Sequence, residues 1–157
     1  MPRTVITSIT DAEQRAAATD IWAAARRAGG RTPSPGRRKR VAEMLVSSDV
    51  ALLATYGHKH AGMVVAEPYL DDDRLDPTCG HIAMVFVDPA YWGSGIGGSL
   101  IRALQAPPEG QDWTRLSVWT RHDNRRALRL YASCAFIDTG DRASLCLLYT
   151  SPSPRDS

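Results

Sequence analysis

The sequence predicts an α/β fold, a mixed α+β sheet with helices on its faces. Short apolar runs of strand length alternate with stretches whose apolar residues recur every three or four positions. Two pairs of strand-like runs are separated by only a few turn-forming residues, the pattern of antiparallel hairpins. Between them, His81 to Leu104 reads strand, glycine-rich turn, helix.

The elements follow in order. Val5 to Ile9 reads as a short first strand. Thr10-Asp11-Ala12-Glu13 then has the form of a capping box, in which hydroxyl and carboxylate each serve an orphan N–H. The helix behind it places Ala17, Ile21, Ala25 and Ala28 on one stripe and ends near Gly29-Gly30. Residues 29–36 (GGRTPSPG) are a loop of breakers. A second helix is expected from about Arg37 to Ser48, burying Val41, Met44 and Leu45. Val50–Tyr56 and Ala61–Glu67 are strands of a hairpin closed by Gly57-His58-Lys59-His60. An acidic loop, Asp71-Asp72-Asp73 and Asp76, leads to a strand beginning at His81. Asp88-Pro89 stops that strand, since proline has no N–H for a ladder and restrains its predecessor. Ile96, Leu100, Ile101 and Leu104 mark the next helix, and Pro107-Pro108 and Gly110 break the chain after it. Arg115–Thr120 is a strand and Asn124–Cys134 a helix with Ala127, Leu128 and Tyr131 on one face. Phe136–Thr139 and Ser144–Tyr149 form a last hairpin around Gly140-Asp141. The expected order is β-α-α-β-β-β-α-β-α-β-β.

Composition narrows the classes of function. A length of 157 residues suits one domain, assigned to residues 1–145, and the 43% hydrophobic and 23% charged content is that of an ordinary soluble globule. A net charge of +2 is too mild to argue for a nucleic-acid partner. No apolar run approaches the roughly 18 residues needed to span a bilayer, so no membrane association is expected. No apolar signal core is present, and a cytoplasmic location is the default. Cys79, Cys134 and Cys146 are an odd count without C-x-x-C spacing, which favours free thiols. His58, His60, His81 and His122 lack a ligand spacing, and no metal is expected. Residues 146–157 are read as a tail. Its end, SPSPRDS, has too little apolar content to pack and is expected to be disordered. The run CLLYTSPSPRDS also resembles vector read-through.

The glycine-rich turn carries the chemistry. Gly93, Gly95, Gly97 and Gly98 let the backbone approach a ligand closely, and the helix that starts there offers unpaired N–H groups at a positive dipole end. That is a phosphate cradle. Gly93-Ser94-Gly95-Ile96-Gly97-Gly98 literally fits G-x-G-x-x-G, the dinucleotide fingerprint. The surroundings do not: five residues, Pro89 among them, separate strand from glycines, and the next strand ends Trp119-Thr120-Arg121 with no acid. A Walker A loop fails too, because no Lys-Ser/Thr pair follows.

A different pattern fits. Val87-Asp88-Pro89-Ala90-Tyr91-Trp92-Gly93-Ser94-Gly95-Ile96-Gly97 resembles the acyl-CoA pyrophosphate loop, Gln/Arg-x-x-Gly-x-Gly/Ala, of the GNAT superfamily of acetyl-CoA-dependent N-acetyltransferases. Asn124-x-x-Ala127-x-x-x-Tyr131, followed by Phe136, resembles that family's second cofactor-contacting helix. The element order is also similar, and the resemblance covers about Thr4 to Leu145. It implies a GNAT-like acyl-CoA N-acyltransferase fold. This chain departs from the family at Trp92, where Gln or Arg is usual, and at Ala135, where glycine is usual.

The resemblance assigns roles. Acetyl-CoA would lie where strands 81–87 and 115–120 splay apart, with backbone groups of Val85, Phe86 and Val87 on the pantetheine arm. Trp92, Gly93, Ser94, Gly95, Ile96, Gly97 and Gly98 would surround the pyrophosphate, and Asn124, also a good N-cap, would touch the cofactor. Tyr131 matches the tyrosine that protonates the departing thiolate. An amine is mostly protonated at neutral pH, so a base is required. His81 stands where some members place one, and Glu67 is a second candidate. Arg37-Arg38-Lys39-Arg40 and Asp71-Asp72-Asp73 read as solvated surface.

The expected activity is acetyl transfer from acetyl-CoA directly to a primary amine of a small molecule or peptide, with no metal and no acyl-enzyme. The alternatives are a non-catalytic acyl-CoA-binding module of the same fold and a Rossmann-like nucleotide binder. Oligomeric state is not legible, and a homodimer is compatible with the sequence.

Overall fold

The computed structural model describes residues 3–71, 74–106, 111, 113–121, 123–139 and 145–150. Strand β1 (Thr4–Ser8) is followed by helices α1 (Ala12–Ala28) and α2 (Pro35–Ser47). Strands β2 (Val50–Tyr56), β3 (Lys59–Asp71) and β4 (Arg74–Val87) form a meander. A 3₁₀ turn, Pro89–Tyr91, leads to α3 (Ile96–Gln105), and then come β5 (Arg115–Thr120), α4 (Arg125–Ser133), β6 (Ile137–Asp138) and β7 (Leu145–Thr150). The strands make one sheet in the order β1-β2-β3-β4-β5-β7-β6, in which β4 and β5 run parallel and the other neighbours antiparallel. The architecture and element order are those the sequence predicts.

Side-chain alternation along β2 and β3 divides the core into two layers. Leu53, Met63 and Val65 face α1 and α2, where they meet Ile21, Trp22, Val41 and Leu45. Leu52, Val64 and Ala66 face the other way, onto Ile96, Leu100, Ile101 and Leu104 of α3. Gly62 permits the close approach on that second face. A Cβ there would lie 2.8 Å from the Ile96 side chain and 3.0 Å from Leu100.

Several sequence expectations need correction. The capping box sits one residue later than expected. Asp11, extended at φ −125° and ψ 170°, is the N-cap and accepts from the Gln14 N–H at 2.8 Å, while Gln14 Oε1 accepts from the N–H groups of Asp11 (3.1 Å) and Thr10 (2.7 Å). The buried stripe of α1 is rotated onto Ala18, Ile21 and Trp22, because the large indole dictates which face enters the core. The loop expected before His81 is instead a hairpin arm. Tyr69 pairs with Asp76, Leu70 with Leu75 and Asp71 with Arg74. Asp76 is not solvated loop: its carboxylate accepts from the Thr78 N–H at 2.9 Å and hydroxyl at 2.7 Å and pairs with Arg115. These hydrogen bonds hold its pKa below the usual carboxylate value. At the other end, β7 pairs with β5 from Leu145 to Thr150, so the sheet takes in residues 146–150 of the expected tail. Residues 151–157, Asp72, Asp73, Pro107, Pro108, Gly110, His122 and residues 140–144, where the last hairpin's turn was expected, lie outside the described residues. Among the described residues no helix is long and apolar enough to cross a membrane.

Candidate functional site

Two parallel strands part company at the centre of the sheet. β4 and β5 pair from Cys79↔Arg115 to Ile82↔Val118, and no further pairing follows although β4 continues to Val87. The cause lies on the other edge of β4. There the register with β3 shifts between Val65↔Met84 and Ala66↔Ile82, which leaves Ala83 as an extra residue. A bulge bends its strand, and here it bends β4 at the point where β5 is left behind.

The resulting cleft has a volume of about 730 Å³. Its walls are β4 from Ile82 to Val87, β5 from Val118 onward, the starts of α3 and α4, and the end of α1. It therefore opens on both faces of the sheet. The Asp88 N–H donates to the Ala61 carbonyl at 2.8 Å, which makes Gly62↔Val87 a pair without mutual hydrogen bonds. The backbone groups of Val87, and two residues earlier those of Val85, consequently face the gap. Phe86 is the exception among the three expected pantetheine contacts. By the same alternation its backbone groups are turned to β3, although the residue still borders the cleft.

The turn expected to cradle phosphate has a strand, positive-φ glycines and an uncapped helix start in succession. Gly93 and Gly95 adopt φ +84° and +80°, a region in which an L side chain is strained. Gly95 is the N-cap of α3, and no side chain caps that helix. The N–H groups of Ile96, Gly97 and Gly98 thus have no intrahelical acceptor and point out of the helix start. Gly93, Gly95, Ile96, Gly97 and Gly98 all border the cleft. Ser94 does not; its N–H is spent on the Tyr91 carbonyl at 3.2 Å.

Trp92, the residue that departs from the family loop, lies in the cleft wall. Its indole Nε1 donates to the Val87 carbonyl at 2.9 Å. Arg126, from the first turn of α4, lies with its guanidinium carbon 3.6 Å from the centroid of the Trp92 ring. A cation thus stands beside the loop although residue 92 itself supplies none.

The α4 residues are positioned by caps at both ends. Asn124 accepts from the Ala127 N–H at 3.2 Å as the N-cap and also borders the cleft. At the other end Phe136 N–H donates to Tyr131 O at 3.0 Å and Ala135 N–H to Ala132 O at 3.1 Å, the paired bonds of a Schellman turn. Its left-handed position is Ala135, at φ +70°, where glycine would be unstrained. The turn brings Phe136 against Tyr131, with ring centroids 5.5 Å apart. Tyr131 is buried in the cleft wall, and burial, with Cys134 second, pushes its pKa well above the usual phenol value. It holds its proton at neutral pH.

His81 sits one pair below the point where the strands part, opposite Ser117 on β5 and Glu67 on β3. Its Nδ1 is 2.9 Å from the Ser117 hydroxyl, and its ring tilts against Tyr69 at 5.9 Å. Burial lowers its pKa, so the imidazole is neutral at pH 7. Neither His81 nor Glu67 borders the cleft itself, which begins at Ile82. No cluster of potential metal ligands occurs among the described residues.

Sequence reasoning missed four cations that border this cleft, among them Arg121, which pairs with Asp123. Arg126 was hidden on an ordinary helix face. Arg26 and Arg31 line the cleft from the end of α1 and the loop after it. The only signal was the run of breakers at 29–36, which marks a loop and not what the loop meets.

Comparison with known proteins agrees with this fold. The model of the acetyltransferase (GNAT) family matches residues 15–136. Similar solved structures include a Pyrococcus horikoshii protein, 18% identical with TM-score 0.75, covering 96% of this chain and 100% of that one. The Escherichia coli ribosomal-protein-S18-alanine N-acetyltransferase is 20% identical with TM-score 0.70, covering 99% of each chain. A Brucella melitensis acetyltransferase of the same family, solved with acetyl-CoA, is 19% identical with TM-score 0.64, covering 99% of this chain and 94% of that one. No curated protein sequence matches.

Proposed function

Because this chain belongs to the acetyltransferase (GNAT) family, we propose that it is an N-acetyltransferase. It takes the acetyl group of acetyl-CoA and passes it directly to a primary amine of a small molecule or peptide. The observation that supports this best is the parting of β4 from β5 beyond Ile82↔Val118, in a cleft that ends on the uncapped start of α3. One end offers backbone N–H groups and a helix dipole to a pyrophosphate. The middle offers the backbone groups of Val85 and the Val87 N–H to an extended arm.

The chain's own groups suffice for direct transfer. The amine nitrogen attacks the thioester carbonyl carbon, the C–S bond breaks, and the sulfur leaves as a thiolate. Tyr131 gives that sulfur its phenolic proton. The proton lost by the amine passes through water to His81, whose neutral imidazole accepts it, with Glu67 beside it in register. Among the described residues no cysteine borders the cleft; Cys79 and Cys134 are buried elsewhere. Positioning of the two substrates supplies most of the acceleration.

The test is thiol release from acetyl-CoA across a panel of primary amines, with CoA binding measured in parallel. Thiol release with at least one amine is expected. CoA binding without release from any amine would assign the fold to a non-catalytic acyl-CoA-binding module. Gly95→Glu places a carboxylate at the cradle and should remove CoA binding by at least a hundredfold in a folded protein. No atom lies within 4 Å of a Cβ at that position, but φ +80° strains any L side chain, so Gly95→Ala is the control that separates loop strain from the added carboxylate. Retained affinity in that variant would show that CoA phosphates lie elsewhere.

A further inference from the structure

Arg26 is half-buried. Its Nε is buried and has no hydrogen-bond partner. Its guanidinium carbon lies 5.9 Å from the ring centroid of Trp22, itself buried beneath it. Among the described residues the ion pairs within 4 Å are those of Arg38, Arg115 and Arg121, and Arg26 has none. Leaving a buried donor of a charged group unpaired is unfavourable. Burial first, then neighbouring Arg37 and Arg31, works against its charge. Arg26 and Arg31 both border the cleft. A half-buried guanidinium whose Nε has no partner, in the wall of an open cleft with a second cation bordering the same cleft, is suited to receive an anion.

Arg26 and Arg31 enter the common cleft from the side of the sheet opposite to the helix whose start forms the cradle. α1 packs on the face of Leu53, Met63 and Val65, whereas the cradle at α3 belongs to the opposite face. We infer that Arg26, with Arg31, binds a carboxylate of the acceptor, so that the acceptor is an anionic amine: an amino acid or a short peptide. Its carboxylate docks on the planar guanidinium fork while its amine enters the gap between β4 and β5. This rests on the proposed transfer to an amine, because it names the class to which that amine belongs.

The experiment uses wild-type protein, Arg26→Gln and Arg31→Gln, each saturated with CoA. Calorimetric titration compares L-amino acids and dipeptides supplied as free acids and as C-terminal amides. Thiol release from acetyl-CoA is followed with the same compounds, and CoA and dephospho-CoA are titrated separately. Wild type should bind the acids at least tenfold more tightly than the amides. Arg26→Gln should lose most of that preference, and Arg31→Gln, a change at an exposed position that packing tolerates, should lose part of it. Both should bind CoA and dephospho-CoA as wild type does. Equal responses to acid and amide, including none to either, would overturn the inference. So would a preference that survives both substitutions. A selective loss of CoA affinity over dephospho-CoA in Arg26→Gln would instead give the arginine to the cofactor's 3′-phosphate. Acid-selective binding with no thiol release would refute acetyl transfer and leave the carboxylate site standing. Thiol release indifferent to the carboxylate would do the reverse.

Discussion

The indole of Trp92 donates to the Val87 carbonyl across 2.9 Å, so the loop ties itself to the strand it follows. One acceptor that faces the gap is thereby occupied, and the ring is fixed as a platform for Arg126 at 3.6 Å. The side chain that replaces the usual Gln or Arg recruits a cation from α4. Arg126→Gln should weaken CoA binding about two- to fivefold, the effect of one exposed cation of roughly 0.5–1 kcal/mol. The loss should shrink as salt is raised, which titrations at two ionic strengths would reveal. A loss independent of salt would assign Arg126 to packing.

Tyr131 is expected to act on kcat and not on cofactor affinity. Tyr131→Phe keeps the ring against Phe136 and removes only the hydroxyl. A lost proton donor is worth on the order of 10²-fold in rate. Stopped assays of thiol release, with CoA affinity measured by titration, check the split. Since burial raises the phenol's pKa, the wild-type rate should show no basic limb from this group below pH 10. An unchanged rate in the phenylalanine variant would remove Tyr131 from the reaction.

His81 should shape both rate and stability in acid. Its folded pKa lies below the unfolded value near 6.5, so the unfolded chain binds more protons in the window beneath pH 6.5. The stability due to its neutral form is complete above that pH. It falls as pH drops from 6.5 to the folded pKa. The groups around the ring are Ser117, Tyr69 and Glu67. Melting temperature against pH should slope less in His81→Gln than in wild type below pH 6.5. The acidic limb of kcat/KM should vanish in the same variant if the imidazole accepts the amine's proton.

Ala135 offers a gain. A non-glycine residue in the left-handed region costs about 1–2 kcal/mol, and glycine ends such turns without that penalty. Ala135→Gly should stabilise the protein by about 1 kcal/mol and raise Tm by roughly 2–4 °C, read by calorimetry. A lower Tm would mean that the turn gains more from alanine's restriction of the unfolded chain than it loses in strain.

The departure at Ala135 was legible because a motif position and a backbone requirement coincide there. Most of the fold was legible for a similar reason: period and breakers sit side by side in the chain. The long β3–β4 hairpin was not, since Pro68 and three consecutive aspartates read as loop while pairing between Leu70 and Leu75 prevails over local preference. At the site, the positive-φ turn and the helix start after it could be read from glycine spacing, and the placement of His81 opposite Glu67 from a hairpin. The Trp92–Val87 bond and the arrival of Arg26 and Arg31 at the cleft could not. Each depends on segments that meet only after the sheet has formed.

The close seating of α3 on Gly62 has a consequence for the protein's endurance. The helix whose first turn offers the anion cradle is the same one that fills the core with Ile96 and Leu100. Whatever occupies the cradle therefore braces the interior, and occupancy adds to stability by mass action, about 2.7 kcal/mol at a hundredfold excess over Kd. Melting temperature measured across a CoA dilution series should climb with concentration, and a flat series would show that CoA does not bind the folded chain. The chain's resistance to unfolding and proteolysis would then follow the supply of CoA.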